Sequence, residues 1–149
     1  MDDADVMSLL RAQRHSFLNH LQVVSGWLQM NQPQRAYDYL LKIVPALVDQ
    51  GLVTGQVPPA VGHRLIATFL EAEVLGIRLH VTVAEPPDAA VADRLYRSVA
   101  ESLQAVATLP EAERELSVHI SSTTVRYVAG KPVTWQDGSV ADSREEFLL

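Results

Sequence analysis

The chain has 149 residues, five histidines, no cysteine and a formal net charge of −6 at pH 7. The negative charge makes nucleic acid an unfavourable partner, and the lack of cysteine excludes disulfides and thiolate metal sites. No apolar run reaches the roughly 18 residues of a membrane span, and the opening MDDADV lacks the features of a signal peptide. We therefore expect a cytoplasmic protein without membrane or nucleic-acid contacts.

The first predicted element is an amphipathic helix over residues 5–30, with Asp2, Asp3 and Asp5 suited to its positive N-terminal end. Spacings of three and four place one apolar stripe on this helix, formed by Leu10, Phe17, Leu21, Val24 and Leu28. Leu9, Val23 and Trp27 widen the stripe on one side, and His20 flanks it. This pattern is typical of a helix that packs against other helices.

His15 points roughly 145° away from the centre of the apolar stripe, at about 100° per residue. Its predicted neighbours on this polar side are Ser8, Arg11, Leu18, Asn19 and Gln22. A histidine there is a surface residue, a metal ligand or a nucleophile. Asn19 and Leu18 occupy the positions where a second metal ligand would stand, so the metal interpretation is weak. A neutral imidazole can accept a phosphoryl group.

A second helix is predicted over residues 33–49, after a short turn in which Asn31 caps the helix and Pro33 enters its first turn. Pro45 should kink it or remove one backbone bond, and Gly51 is the expected stop. The short turn makes the two helices antiparallel. Two helices cannot bury so wide an apolar surface, so we expect a homodimer in which two hairpins form a four-helix bundle. The alternative is that the hairpin packs on the C-terminal half of its own chain. The apolar positions of the second helix are Ala36, Tyr37, Leu40, Leu41, Ile43, Val44, Leu47 and Val48.

The rest of the chain alternates between helix and strand after the Gln56–Pro59 linker. Helices are predicted over residues 60–75, ended by Gly76, and over residues 89–108. Strands are predicted over 77–83, 116–121, 124–128 and 133–135, and a loosely held tail over 136–149. The fold class is α+β, with domains at 1–54 and 55–149.

Arg14-His15-x-x-x-Asn19-x-Leu21-Gln22-Val23, followed by Gly26 and a second helix, resembles the phospho-acceptor box of the sporulation-initiation phosphotransferase B family. It is also similar to the helical domain of citrate and dicarboxylate sensor kinases. The resemblance implies a phosphorelay phosphotransferase, with His15 as the phospho-acceptor and Arg11, Arg14 and Asn19 assisting it. The implied partners are response-regulator receiver domains, which would contact Ser8, Leu18 and Gln22. The regulator would bring Mg²⁺, and the protein would need no cofactor or metal of its own.

One residue departs from the family pattern: Ser16 stands where an acidic residue usually follows the histidine. In kinases this acid assists self-phosphorylation, so its loss argues against an autokinase. It does not argue against accepting a phosphoryl group from an aspartyl phosphate, which is already activated.

The order of elements in the C-terminal half is similar to the start of the ATP-binding domain of histidine kinases. The matching helix, residues 97–105, contains no Asn for a magnesium-binding box, and Asp137-Gly138 stands without the further glycines of a nucleotide loop. The comparison implies a shortened, degenerate kinase-like domain that does not bind ATP. His63, His80 and His119 lie on different elements, which argues against a shared metal site, and structural roles are expected for His80 and His119 on their predicted strands. The alternative functions are a non-catalytic dimeric adaptor or inhibitor of two-component proteins, a fragment of a sensor histidine kinase, or a helical dimerisation domain with an incidental histidine.

Overall fold

The computed structural model describes residues 2–129 and 146–148. Within these residues, four helices and four strands follow one another, with a 3₁₀ turn at Glu111–Glu113. They divide into two compact units, Met1–Gly51 and Leu52–Leu149. The elements are α1 (Asp3–Gln29), α2 (Pro33–Thr54), α3 (Pro59–Val74), β1 (Arg78–Val83), α4 (Ala89–Ala107), β2 (Glu115–Ile120), β3 (Val125–Ala129) and β4 (Glu146–Leu148).

A reciprocal capping box begins α1. The Asp2 carboxylate accepts a hydrogen bond from the Asp5 backbone N–H at 2.8 Å, and the Asp5 carboxylate accepts one from the Asp2 backbone N–H at 3.2 Å. Two of the orphan N–H groups at the helix end are thereby satisfied. The helix starts two residues earlier than the sequence pattern predicts, because the acidic residues cap it as well as complementing its dipole.

In the turn between α1 and α2, Asn31 has a different role from the one predicted. Asn31 has φ of 56° and ends α1, whereas the sequence indicated an N-terminal cap of α2. Its backbone N–H donates to the Leu28 carbonyl at 3.0 Å, and the Gln32 N–H donates to the Trp27 carbonyl at 2.9 Å. These two bonds form a Schellman motif, in which asparagine tolerates the left-handed conformation better than most residues.

The prediction that Gly51 ends α2 was wrong. The helix runs through Pro45 and Gly51 and ends at Thr54, beside Gly55 and ahead of Pro58. A proline inside a helix removes one backbone donor, and a glycine costs about 1 kcal/mol there, but neither obliges the chain to leave the helix. The helix thus crosses the boundary between the two units.

The second unit is a mixed sheet with α3 and α4 packed on it, so the α+β class is confirmed. The strand order is β1-β2-β3-β4; β1 and β2 are parallel around α4, and the other pairs are antiparallel. Gly76, at φ of 69°, ends α3 as predicted. The core consists of apolar side chains from α3, α4, β2 and β3, together with Ile77 just before β1: Val61, Leu65, Phe69, Ala72, Ile77, Leu95, Val99, Leu103, Val106, Leu116, Val118, Ile120, Val125 and Tyr127.

The end of the chain differs from the loosely held tail that was predicted. Residues 146–148 form β4, which pairs with β3 through Arg126↔Leu148 and Val128↔Glu146. The predicted strand at 133–135 and the Asp137-Gly138 pair lie outside the described residues. Among the helices described, none has the length and apolar character to cross a membrane.

Candidate functional site

Two side-chain contacts set how α1 and α2 pack in the first unit. His20 Nδ1 lies 2.6 Å from the Tyr39 hydroxyl, with the rings tilted by 46°. Nearer the turn, the Arg35 guanidinium stacks 4.9 Å from the centroid of the Trp27 ring. His20 contacts Tyr39 and Trp27 contacts Arg35, so the contact positions advance along α1 as they go back along α2, as in an antiparallel hairpin. The same relation places His15 at about the level of Val44.

One side of α1 faces α2 and is partly buried; it is formed by Leu9, Ser16, His20 and Trp27. The predicted apolar stripe is rotated by about 100° from this side, at 100° per residue. Its residues therefore remain exposed: Leu10, Phe17, Leu21 and Leu28 keep between 47% and 55% of their accessible surface, and Val24 is half-buried.

A matching stripe lies on α2. Ala36, Tyr39 and Ile43 face α1, and Leu40, Val44 and Leu47 are rotated from them by about 75°. The two helices are antiparallel, so rotations in the same sense bring both stripes to the same side of the hairpin. We call this combined surface the apolar face. Exposed large side chains in such continuity are unusual on a soluble monomer and mark an interaction surface.

His15 lies on the opposite side of α1. It points about 170° from the direction midway between α2 and the apolar face. Ser8, Arg11, Asn19 and Gln22 fall within about 40° of it, so the helix brings these four predicted site residues together around His15. Leu18 is about 60° away and Arg14 about 100° away, toward the apolar face. All seven side chains are exposed.

No hydrogen bond or ion pair within residues 2–129 engages His15, Arg11, Arg14 or Asn19. The imidazole is exposed, and in-line attack on a phosphorus atom requires one of its ring nitrogens to be accessible. The two guanidinium groups supply positive charge near it, and each offers five N–H donors to phosphoryl oxygens. Asn19 forms no hydrogen bond with His15 among the described residues, so its orienting role remains a prediction.

The remaining histidines have local partners. His63 Nδ1 lies 2.9 Å from the Pro59 carbonyl, His80 Nε2 lies 2.8 Å from Glu115 Oε2, and His119 Nδ1 lies 2.8 Å from the Thr82 hydroxyl. Over the described part of the chain, no three His, Cys, Asp or Glu side chains form a group that would hold a metal. These contacts fit the structural roles expected for His80 and His119.

Tyr39 is the residue of this hairpin that sequence reasoning missed. The apolar pattern of α2 was assigned without it, although its spacing from Ala36 and Ile43 puts it on the α1-facing side. That spacing was the available signal, because a tyrosine at such a position buries its ring and needs a partner for its hydroxyl. His20 supplies that partner.

Residues 1–54 match the model of the sensor kinase SpoOB-type alpha-helical domain. The match spans the whole hairpin and ends where α2 ends. No curated protein matches the chain.

Proposed function

Since residues 1–54 belong to the family of SpoOB-type alpha-helical domains, a domain type of two-component signalling, we propose that this protein is a phosphorelay histidine phosphotransferase. It passes a phosphoryl group between the aspartates of response-regulator receiver domains through phosphohistidine at His15. The observation that supports this best is the exposed His15 imidazole on the side of α1 opposite the apolar face.

The proposed transfer requires one covalent step of this protein, the attack by a nitrogen of His15. A nitrogen of His15 attacks the phosphorus of a receiver aspartyl phosphate in line; the P–N bond forms as the P–O bond to the aspartate breaks. The leaving carboxylate stays on the receiver. Transfer to a second receiver reverses these bond changes. Catalysis is then mostly positioning and charge stabilisation, with Mg²⁺ held by the receiver and guanidinium groups from Arg11 and Arg14 near the phosphoryl oxygens.

The apolar face supports a dimeric four-helix bundle. In a square bundle each helix has two neighbours about 90° apart. In this hairpin, the side of α1 that faces α2 and its exposed stripe are separated by about that angle, and α2 has the same arrangement. A second hairpin laid on the apolar face would bury both stripes and leave His15 pointing outward.

A sensor histidine kinase fragment is the second candidate, because the matching domain model is described as a sensor kinase type. Ser16 and the missing Asn box favour the phosphotransferase. The third candidate, a non-catalytic adaptor that binds two-component proteins, needs the hairpin but not the imidazole.

The direct test is incubation of the full chain with phosphorylated receiver domains and detection of acid-labile, base-stable phosphate. We expect label on the wild-type protein and none on His15→Gln. His63→Gln, a histidine change in the other unit, is the matched control and should be labelled like wild type. Label that appears only with ATP present would favour the kinase. Absence of label from every receiver tried, together with retained receiver binding, would favour the adaptor.

A further inference from the structure

Strand β1 leaves one edge of the sheet unpaired among the described residues. It stands at the end of the strand order and pairs there only with β2, over six consecutive residues without a bulge. An unpaired strand edge is a place where another chain can add a strand, so soluble proteins usually protect such edges with lysine, proline or a bulge. The sequence of β1, RLHVTV, contains neither lysine nor proline.

The outer edge of β1 is formed by the backbone of Leu79, Val81 and Val83. The Arg78 N–H donates to the Arg114 carbonyl at 2.9 Å, on the side of β2. Successive residues of a strand direct their backbone groups to opposite edges, so the three residues at 79, 81 and 83 face outward. Within the part of the chain that the structure describes, their N–H and C=O groups have no hydrogen-bond partner.

The two faces of this edge differ in chemistry. The apolar side chains of Leu79, Val81 and Val83 pack against the core and are half-buried. The other face of β1 is polar and carries Arg78, His80 and Thr82. A strand added at this edge therefore needs apolar residues on one face and polar residues on the other, and β1 itself has this pattern.

One register makes β1 complementary to itself. In an antiparallel pair with a two-fold axis at Val81, that residue lies opposite its own counterpart, and Leu79 lies opposite Val83 of the second copy. Each of these pairs exchanges two backbone hydrogen bonds, so all of the outer N–H and C=O groups are satisfied. His80 then lies opposite Thr82 on the polar face, and no charged residue lies opposite a like charge.

The neighbouring registers use this edge less completely. Moving the axis one residue toward the N-terminus pairs Val83 with Ile77, whose N–H already donates to the Ala72 carbonyl at 2.8 Å. Moving it one residue the other way pairs Leu79 with Glu85, which lies beyond the end of β1. The two-fold axis at Val81 is therefore the register that the backbone favours.

Charges at the two ends of the paired strands are also complementary. Arg78 keeps 52% of its side chain exposed. With the axis at Val81, Arg78 of one copy lies opposite Ala84 of the other, next to the exposed Glu85. The two-fold axis produces this juxtaposition twice, and opposite charges near each other across strands favour pairing.

We propose that β1 is a self-association edge, at which two copies of the second unit pair antiparallel about a two-fold axis at Val81 and form one continuous sheet. This contact is separate from the apolar face of the hairpin and goes beyond the proposed function, because it requires no phosphoryl transfer. One pair of six-residue strands is a small interface beside the roughly 1,000 Å² of a stable one, so the pairing is weak by itself. Covalent trapping therefore tests it more directly than sedimentation.

The first experiment uses the absence of cysteine from the sequence. His80→Cys and Thr82→Cys are co-expressed on chains with different tags and oxidised in a glutathione buffer. Residues 80 and 82 form a non-hydrogen-bonded pair with Cα atoms about 4.5 Å apart, within reach of a disulfide. Either variant alone places its two thiols at diagonal positions about 7–8 Å apart, which is too far. The mixture should give about tenfold more covalent dimer on a non-reducing gel.

The second experiment removes an outer donor without changing the pairing of β1 with β2. Val81→Pro, added to both thiol variants, deletes the N–H at the two-fold axis, and an edge strand tolerates proline where its N–H faces away from the sheet. The yield of covalent dimer should fall by about tenfold. Val81→Ile keeps the N–H and the β-branched shape, and it should leave the yield unchanged. Hydrogen exchange of the β2 and β3 amides checks that the sheet is intact.

The outcomes decide both the contact and its register. A mixture that gives no more covalent dimer than the single variants overturns the proposal. Efficient disulfide formation by His80→Cys alone or by Thr82→Cys alone overturns the axis at Val81. Trapping in the mixture that Val81→Pro abolishes, with the sheet intact, supports the pairing. If Val81→Pro loses protection in β2 and β3, the result of the thiol mixture decides.

Discussion

The His20 imidazole and the Tyr39 hydroxyl join the two helices of the hairpin, with 2.6 Å between Nδ1 and Oη. His20 follows His15 by five residues on α1 and lies on the side that packs against α2. This contact therefore fixes the rotation of α1 about its own axis. The direction in which His15 points depends on that rotation.

Tyr39→Phe should lower the free energy of unfolding of the hairpin by about 1 kcal/mol, because it removes one partly buried hydrogen bond and leaves the ring in place. Tyr37→Phe is the matched control, since the Tyr37 side chain is 56% exposed and its loss of a hydroxyl should be nearly neutral. Hydrogen exchange of α1 and α2 amides would measure both. Equal effects of the two changes would contradict a structural role for the His20–Tyr39 contact.

The apolar face predicts the response to a buried charge. Phe17→Glu or Leu21→Glu should convert the dimer to a monomer, because an unpaired carboxylate in a bundle interface costs several kcal/mol, roughly 3–5. Val74→Glu, at a valine that is 86% exposed, is the control and should remain dimeric. Sedimentation equilibrium measures the mass. A wild-type protein that stays monomeric at high concentration would contradict the four-helix bundle.

Nucleotide binding tests the prediction for the C-terminal half. The stretch at 97–105 offers no Asn for magnesium, so calorimetry with Mg-ATP should show no binding in the micromolar range. Ser16→Asp should not create kinase activity, because an acidic neighbour of the histidine cannot replace a nucleotide site. Saturable ATP binding together with label on His15 would instead favour a histidine kinase.

The hydroxyl of Tyr127 offers a test inside the second unit. Tyr127 is fully buried, and its hydroxyl has no hydrogen-bond partner among the described residues. Burial raises the pKa of the phenol above its usual value, and the nearby Ser98 side chain acts in the opposite direction. Tyr127→Phe should therefore raise the free energy of unfolding by about 1 kcal/mol, measured by hydrogen exchange of the strand amides. A loss of stability would show that the hydroxyl is satisfied in solution.

Periodicity in the sequence predicted the elements well where one local rule decides the outcome. The stripe on α1 follows from spacings of three and four, and Gly76 ends α3 because its positive φ suits glycine. The exposure of His15 follows from the same helical phase. The interpretation of His15 as a metal ligand was weak because no second ligand stands one helical turn away from it.

The errors arise where two local rules compete or where distant residues meet. Asn31 suits both the start of a helix and the left-handed end of one, and the Schellman bonds select the second. Pro45 and Gly51 both lie inside α2. Each lowers the stability of the helix, but neither forces the chain to leave it. The pairing of β4 with β3, and of His20 with Tyr39, depends on tertiary proximity that periodicity does not encode.

The most direct test of the central claim is to locate the phosphoryl group after transfer from a phosphorylated receiver. Peptide mapping under alkaline conditions should find phosphohistidine at His15. His15→Gln should abolish label while the circular dichroism spectrum and the sedimentation mass stay unchanged, because the side chain is exposed and has no partner among the described residues. Undiminished label on His15→Gln, or label at another histidine of the wild-type chain, would contradict the account.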